Sequence, residues 1–255
     1  MKTLWNLMFN EIKLALHNKL IFLCLLFSIM LIPIMNLFNF FNVEQEMKII
    51  KDFTFSIVSI IGILLSVFYP IYSLKEDLER KFIYNVLSKP ISRASYIIGK
   101  YLGSCIIISF VCVINFFILY IIILLKNFSI SPSYIGASLL LLFKFYLIIM
   151  VSITMGLLPF SFHLSSILSV FFFIVGTLKG YIMTAMKFSE SLIMTEILYP
   201  FLKIFPNFQI FDVYESVIGG STLTANNFIE IIGYAACYIT ALLFLSWLIM
   251  RGKEI

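Results

Sequence analysis

The sequence is poor in charge. Asp, Glu, Lys and Arg make up 12% of its 255 residues, about half the share found in a soluble domain. With 62% hydrophobic residues and a mean hydropathy of +1.06, the chain cannot hide its apolar surface from water, so its solvent is largely lipid. Histidine is scarcer still, at His17 and His163 alone. The cysteines Cys24, Cys105, Cys112 and Cys237 form no Cys-x-x-Cys, which removes the usual zinc pattern. Cys105 and Cys112 are two turns apart on one helix face, a spacing open to a soft metal such as copper. With no histidine near them, small apolar residues are the plainer reading. No Gly-rich loop ends in Gly-Lys-Ser/Thr, because Tyr101 follows Gly99-Lys100; nothing here cradles nucleotide phosphates. His163 stands beside Ser161 and Ser165 without a third group to orient it, so an intramembrane Ser–His hydrolase lacks its machinery. The net charge of +5 forms no basic face with stacking aromatics, which argues against nucleic acid as a partner.

What the sequence does have is long apolar runs. Six of them, near 20–41, 53–73, 96–125, 134–158, 164–183 and 228–250, reach the roughly 20 residues needed to cross a bilayer as a helix. They are continuous rather than alternating, which predicts helices and not a barrel. The fold expected is an all-α membrane protein, one domain over 1–255, without internal repeat. The first run is too long for a signal peptide, and no small-residue cleavage site follows it, so it is expected to stay as a span. With six spans both ends share one side. That side receives eleven Lys and Arg and the other six, with Lys144 inside a span. Both termini are therefore expected in the cytoplasm, in a multi-pass protein of the cell membrane. Ahead of the first run, Leu4, Met8, Ile12 and Leu16 fall on one row while Lys2, Glu11, Lys13 and Lys19 lie mostly off it. This predicts an amphipathic helix in the cytoplasmic interface, with Trp5 as an anchor.

Charge concentrates in one inner passage, DLERKFIYNVLSKPISRASYIIGKYLG, residues 77–103. As a helix over 74–88 it puts Leu78, Phe82 and Val86 on one face and Asp77, Arg80, Lys81 and Tyr84 opposite. Ser73 and Glu76 resemble a capping box that would start it. Pro90 ends it, and Ser92 is placed to cap the next helix. Two readings stand for this surface: docking to a soluble partner through mixed charge, or a solvated connector. Gly99 and Gly103 make a small-xxx-small pair suited to close helix packing within the chain.

The runs Asp77-Leu78-Glu79-Arg80-Lys81, Leu87-Ser88-Lys89-Pro90-Ile91-Ser92-Arg93 and Gly99-Lys100-Tyr101-Leu102-Gly103 resemble the hallmark of type-2 ATP-binding-cassette (ABC) exporter permeases. Phe205-Pro206-Asn207-Phe208-Gln209-Ile210-Phe211-Asp212-Val213 is similar to the external segment in one branch, which includes the permease of the nitrous-oxide-reductase copper maturation system. The family often has Gly or Thr where Lys81 and Phe82 stand. The resemblance implies a cytoplasmic coupling helix docked on a separate ABC ATPase through Asp77, Glu79, Arg80, Lys81, Phe82, Tyr84, Leu87, Pro90 and Arg93. It implies a second permease subunit, ATP and magnesium bound by the ATPase, and no cofactor on this chain. It implies an external re-entrant segment before the last span, with Pro206, Asn207, Phe211 and Asp212 as a gate or a contact for an extracytoplasmic partner. The alternative within the family is a mechanical transducer that moves little cargo.

Lys144 is the one charge deep inside a span, which marks it as a functional candidate by default. Near mid-depth it is poorly placed to snorkel, so it is expected to face a pathway or a neighbouring helix, with Asn115 a second polar candidate for that path. The stretch 184–227 is too apolar for an open loop. Leu192, Ile193, Ile197, Leu198, Phe201 and Leu202 suggest a helix dipping into the outer leaflet. Pro200 and Pro206 would break it, Gly219-Gly220 would turn the chain, and Asn227 with Glu230 would start the last span.

Overall fold

In a computed structural model the chain is an all-α membrane protein, with no strand among the described residues. The structure describes residues 2–34, 43–79, 92–126, 131–186 and 199–252. The helices are α1 (Lys2–Leu16), α2 (Lys19–Ile34), α3 (Val43–Glu79), α4 (Arg93–Leu125), α5 (Pro132–Leu157), α6 (Phe162–Met186), α7 (Tyr199–Ile204), α8 (Tyr214–Ile218) and α9 (Ala225–Arg251), with a 3-10 turn at Gln209–Phe211. Five of these, α3, α4, α5, α6 and α9, contain spans long and apolar enough to cross a membrane. The pair α1–α2, with 64° between its arms, brings the number to six if it is taken as one broken span.

α4, α5, α6 and α9 follow their expected runs to within three residues, because unbroken apolar sequence in lipid has no alternative to helical self-satisfaction. α3 begins ten residues before and ends six after the run 53–73, and the run 20–41 is described only to Ile34. Two starts differ. Ser73 does not begin a new helix, since α3 runs uninterrupted to Glu79. Its hydroxyl is engaged with Glu11 and Lys100 and is not free to cap. The last span begins at Ala225 behind Thr224, which is extended at φ −81° and ψ 147°, so Asn227 and Glu230 lie inside the helix. Ser92 does cap α4, accepting from the Ser95 N–H at 3.1 Å. Pro200 sits in the first turn of α7 rather than breaking a helix, a position where its missing N–H costs nothing. Gly220 turns the chain with φ 99°. Of the dipping helix expected over 192–202, residues 192–198 lie outside the described residues, and Phe201 and Leu202 fall within α7.

α5 is the hub. It packs against α3, α4, α6 and α9, and Leu140, Leu141, Phe145 and Leu147 along it are fully buried. A helix apolar all round belongs in such a position. Several hydroxyls in the spans bond back to their own helix, as Ser152 to the Ile148 carbonyl at 2.9 Å, Ser169 to Ser165 at 2.9 Å and Ser246 to Leu242 at 2.8 Å. This is how polar side chains are tolerated away from water.

α1 does more than lie in an interface. Its Leu16, Trp5 and Phe9 are exposed, but Glu11 and Ala15 are buried where it lies along the first turns of α4. That contact is possible because α4 presents Gly99 and Gly103. A Cβ at Gly99 would stand 2.9 Å from Leu7 Cβ, and one at Gly103 would stand 2.6 Å from Glu11 Cβ. The small pair is thus an intra-chain seam. Gly103→Val should overpack it and lower stability by about 1–3 kcal/mol. Gly233→Ala, where a Cβ meets nothing within 4 Å, should cost nothing and gain up to about 1 kcal/mol of helix propensity. Unfolding midpoints of the two variants in one detergent check this; equal midpoints would mean that α1 is not seated on α4.

Candidate functional site

Among the described residues two assemblies of buried, paired charge stand out, one where α3 stops and α4 starts and one about halfway along α5. At the basic end, where α3 stops and α4 starts, the Lys100 ammonium lies between two carboxylates. It pairs with Glu11 of α1 and, at 2.7 Å, with Asp77 of α3. All three side chains are nearly inaccessible, Lys100 at 5%, Glu11 at 3% and Asp77 at 8%. Lys100 also donates to the Ser73 hydroxyl at 2.5 Å and carbonyl at 3.2 Å. Ser73 donates to Glu11 Oε2 at 2.7 Å, Tyr69 to the Glu11 carbonyl at 3.0 Å, and Tyr96 to Asp77 Oδ2 at 2.8 Å. Buried charge is tolerated only when paired and hydrogen-bonded in this way. The cluster joins three helices at the point where residues 80–91 leave and return.

Asp77 is therefore a correction. Expected on an outer charged face, it points inward, because α3 continues straight past Ser73 and carries Asp77 to the Lys100 side. Glu79, two residues on, is exposed. Arg93 is also turned inward, donating to the Met250 carbonyl at 2.6 Å and the Arg251 carbonyl at 3.0 Å. It closes the C-terminus of α9, as Lys75 closes that of α5 through the Leu158 and Phe160 carbonyls at 3.2 and 2.7 Å. Cations at helix C-termini satisfy orphan carbonyls and the helix dipole together. Arg80, Lys81, Phe82, Tyr84, Leu87 and Pro90 lie outside the described residues.

At the opposite end the segment after α7 folds back among the spans. Phe205, Phe208 and Phe211 are buried. The Phe208 N–H donates to the Gly176 carbonyl at 3.2 Å, an approach open only to glycine, since a Cβ there would be 2.5 Å from the Pro206 carbonyl. Lys179 donates to the Phe205 carbonyl at 2.6 Å, and the Asn207 N–H to the Tyr234 hydroxyl at 2.7 Å. The segment delivers Asp212 to Lys144, whose ammonium reaches both carboxylate oxygens at 2.7 Å. Lys144 is 3% exposed and Asp212 16%. Lys144 stands twelve residues inside α5, roughly 18 Å along it at 1.5 Å per residue, so the segment is re-entrant along α5. Either charge left alone at this depth would be costly, so each holds the other in place.

Lys144 and Asp212 are brought together, with Pro206, Asn207 and Phe211 packed around the same fold-back. Phe211 is wholly buried, so of its two expected places, in a gate or at a partner contact, it offers no open surface for the second. Asn115 stays apart. Its amide donates to the Val111 carbonyl of its own helix at 2.8 Å, and its Oδ1 has no hydrogen-bond partner among the described residues. Cys105 and Cys112 are buried thiols, and no group of three metal-ligating side chains occurs among the described residues. Sequence reasoning missed Glu11, Lys100, Tyr69, Ser73 and Tyr96 as one assembly. The available signal was Lys100 itself, sitting beyond the start of an apolar run, with Glu11 the lone acid of an amphipathic helix. No family model matches the chain, and no curated protein matches it.

Asp212→Ala leaves the Lys144 charge buried without its partner and should cost about 3–5 kcal/mol. Lys144→Met together with Asp212→Leu removes both charges and should recover most of that loss. Unfolding free energies in one detergent test both. A double variant no better than Asp212→Ala would show that the ion pair is not what seats the segment.

Proposed function

We propose that this chain is the transmembrane permease subunit of an ABC exporter of the type-2 class. In this reading it sits in the cell membrane with both termini cytoplasmic and pairs with a second permease subunit. A separate ATPase binds ATP and magnesium and docks on residues 80–91 and the adjoining Glu79. This chain is not an enzyme; it supplies a path and a lever. The observation that carries the reading is the Lys100 cluster. It fastens α1, α3 and α4 together where the proposed docking segment is anchored, so a push on that segment moves three helices at once. The cations Lys75 and Arg93 bind α5 and α9 into the same end. At the far end the Lys144–Asp212 pair would hold the external segment closed over the path. The rival reading, a mechanical transducer acting on an extracytoplasmic partner, needs an outward surface. Phe211 and Asp212 do not provide it; the exposed residues of that segment are others, among them Glu215, Ser216 and Gly219 to Thr222.

The chain purified from the membranes of its own cells, in lipid nanodiscs, should carry an ATP-hydrolysing subunit. Glu79→Arg alone should weaken that association by about 0.2–1 kcal/mol. Adding Tyr84→Ala, which removes an aromatic anchor, should cost about 2 kcal/mol more and release the ATPase while the permease stays monodisperse. Neither change removes a positive charge from the inner loop, so insertion should be unaffected. A wild-type preparation without magnesium-dependent ATP turnover, or a double variant with unchanged stoichiometry and turnover, would refute the reading.

A further inference from the structure

At the elbow between α1 and α2 lies a cavity of about 720 Å³, within the roughly 300–1,000 Å³ of sites that hold small ligands. The elbow is built by two local bonds. The His17 ring Nδ1 meets the Lys13 carbonyl at 2.9 Å at the end of α1, and Asn18 Oδ1 accepts from the Leu20 N–H at 2.9 Å at the start of α2. The cavity wall is of two kinds. Leu14, Leu20, Phe68 and Phe162 are apolar, while Lys19 and Glu76 bring one charge of each sign. From its mouth, Leu20, Leu23, Phe27 and Met30 follow one face of α2 at i, i+3, i+7 and i+10, and they are 43%, 66%, 55% and 60% exposed. A water-soluble ligand has no use for such a track, whereas an acyl chain does.

We propose that the elbow cavity is a binding site for the headgroup of a zwitterionic phospholipid, phosphatidylethanolamine in its chemistry. The phosphate would lie against Lys19 and the ethanolamine ammonium toward Glu76, with one acyl chain along the Leu20–Met30 row. Both signs on the wall match a headgroup that carries both signs. An anionic headgroup meets the Glu76 carboxylate unfavourably, and a choline headgroup has no N–H to give it. Glu76 already interacts within the chain, but a carboxylate accepts about four hydrogen bonds and has capacity for another donor. The back wall is Tyr69 and Ser73, the same residues whose hydroxyls hold Glu11. A lipid in the cavity therefore lies against the Lys100 cluster and keeps water from it, which strengthens its attractions. This inference rests on the chain spanning a membrane and not on its being a transporter.

The test uses the full chain, delipidated in mild detergent and titrated with palmitoyl-oleoyl phosphatidylethanolamine, with the phosphatidylglycerol of the same chains for comparison. Native mass spectrometry counts bound lipids, and thermal unfolding follows their effect. One phosphatidylethanolamine should be retained per chain in preference to phosphatidylglycerol, and it should raise the melting temperature. Lys19→Glu should weaken that binding by about tenfold, the scale set by reversing one headgroup contact. Leu14→Trp, which fills the cavity without changing its charge, should abolish the preferred adduct, and it decides the matter if Lys19→Glu fails to fold. Equal retention of the two lipids by the wild type, or a preferred adduct that survives Leu14→Trp, would overturn the proposal. So would a lipid-free dimer that buries the Leu20–Met30 row.

Discussion

The Lys100 ammonium, shared by Glu11 and Asp77, sets the arrangement of one whole end of this protein. A charge taken out of water costs several kcal/mol unless its partners are close and its remaining hydrogens are used. Here one cation serves two carboxylates, and Ser73, Tyr69 and Tyr96 take up capacity that is left. Each element of that arrangement constrains another. Gly99 and Gly103 must be small so that α1 approaches close enough for Glu11. α3 must stay helical past Ser73 so that Asp77 arrives. α4 must start at Ser92 so that Lys100 lies two turns in. Relaxing one of these leaves a buried charge without its counterpart.

The other buried ion pair works on the same principle with a different result. Lys144 can sit mid-span only because a re-entrant segment brings Asp212 down to it, and that segment reaches so deep only because Gly176 has no side chain. The first assembly stands at one end of the bundle and the second about halfway along its hub, α5. α5 carries Lys144 in its middle and ends on carbonyls closed by Lys75. A displacement at the basic end thus has a continuous packed route, through α3 and α5, to the fold-back at the far end. In the proposed exporter, that route is what lets ATP-driven motion outside the membrane act on a gate across it.

Much of the fold was legible because lipid leaves the backbone so few choices. The runs 96–125 and 134–158 became Arg93–Leu125 and Pro132–Leu157 with only end adjustments, and Ser92 announced its helix. Helix starts near charged residues were less legible. Ser73-Glu76 and Asn227-Glu230 have the letters of capping boxes, yet both fall inside helices, since a cap pattern says nothing of whether the preceding residues also prefer to be helical. Lys144 could be identified as a residue needing a partner, but not Asp212 as that partner. The pairing spans 68 residues and depends on a chain reversal that no local pattern encodes. Asp77 misled for a related reason: on a helical wheel it shares a face with Arg80 and Lys81, and only the position of α4 shows which side of that wheel is inside. Arg93 read as a docking residue and Lys75 as one of the inner cations, and the role of both as caps depends on where α9 and α5 end in space.

If the shared ammonium orders this end of the protein, Glu11 and Lys100 are energetically coupled and not merely adjacent. A double-mutant cycle with Glu11→Gln, Lys100→Gln and the double variant, followed by unfolding in one detergent, measures that coupling directly. The account predicts a coupling free energy of about 1–3 kcal/mol. Losses that simply add, to within about 0.3–0.5 kcal/mol, would contradict it and leave α1 held by packing alone.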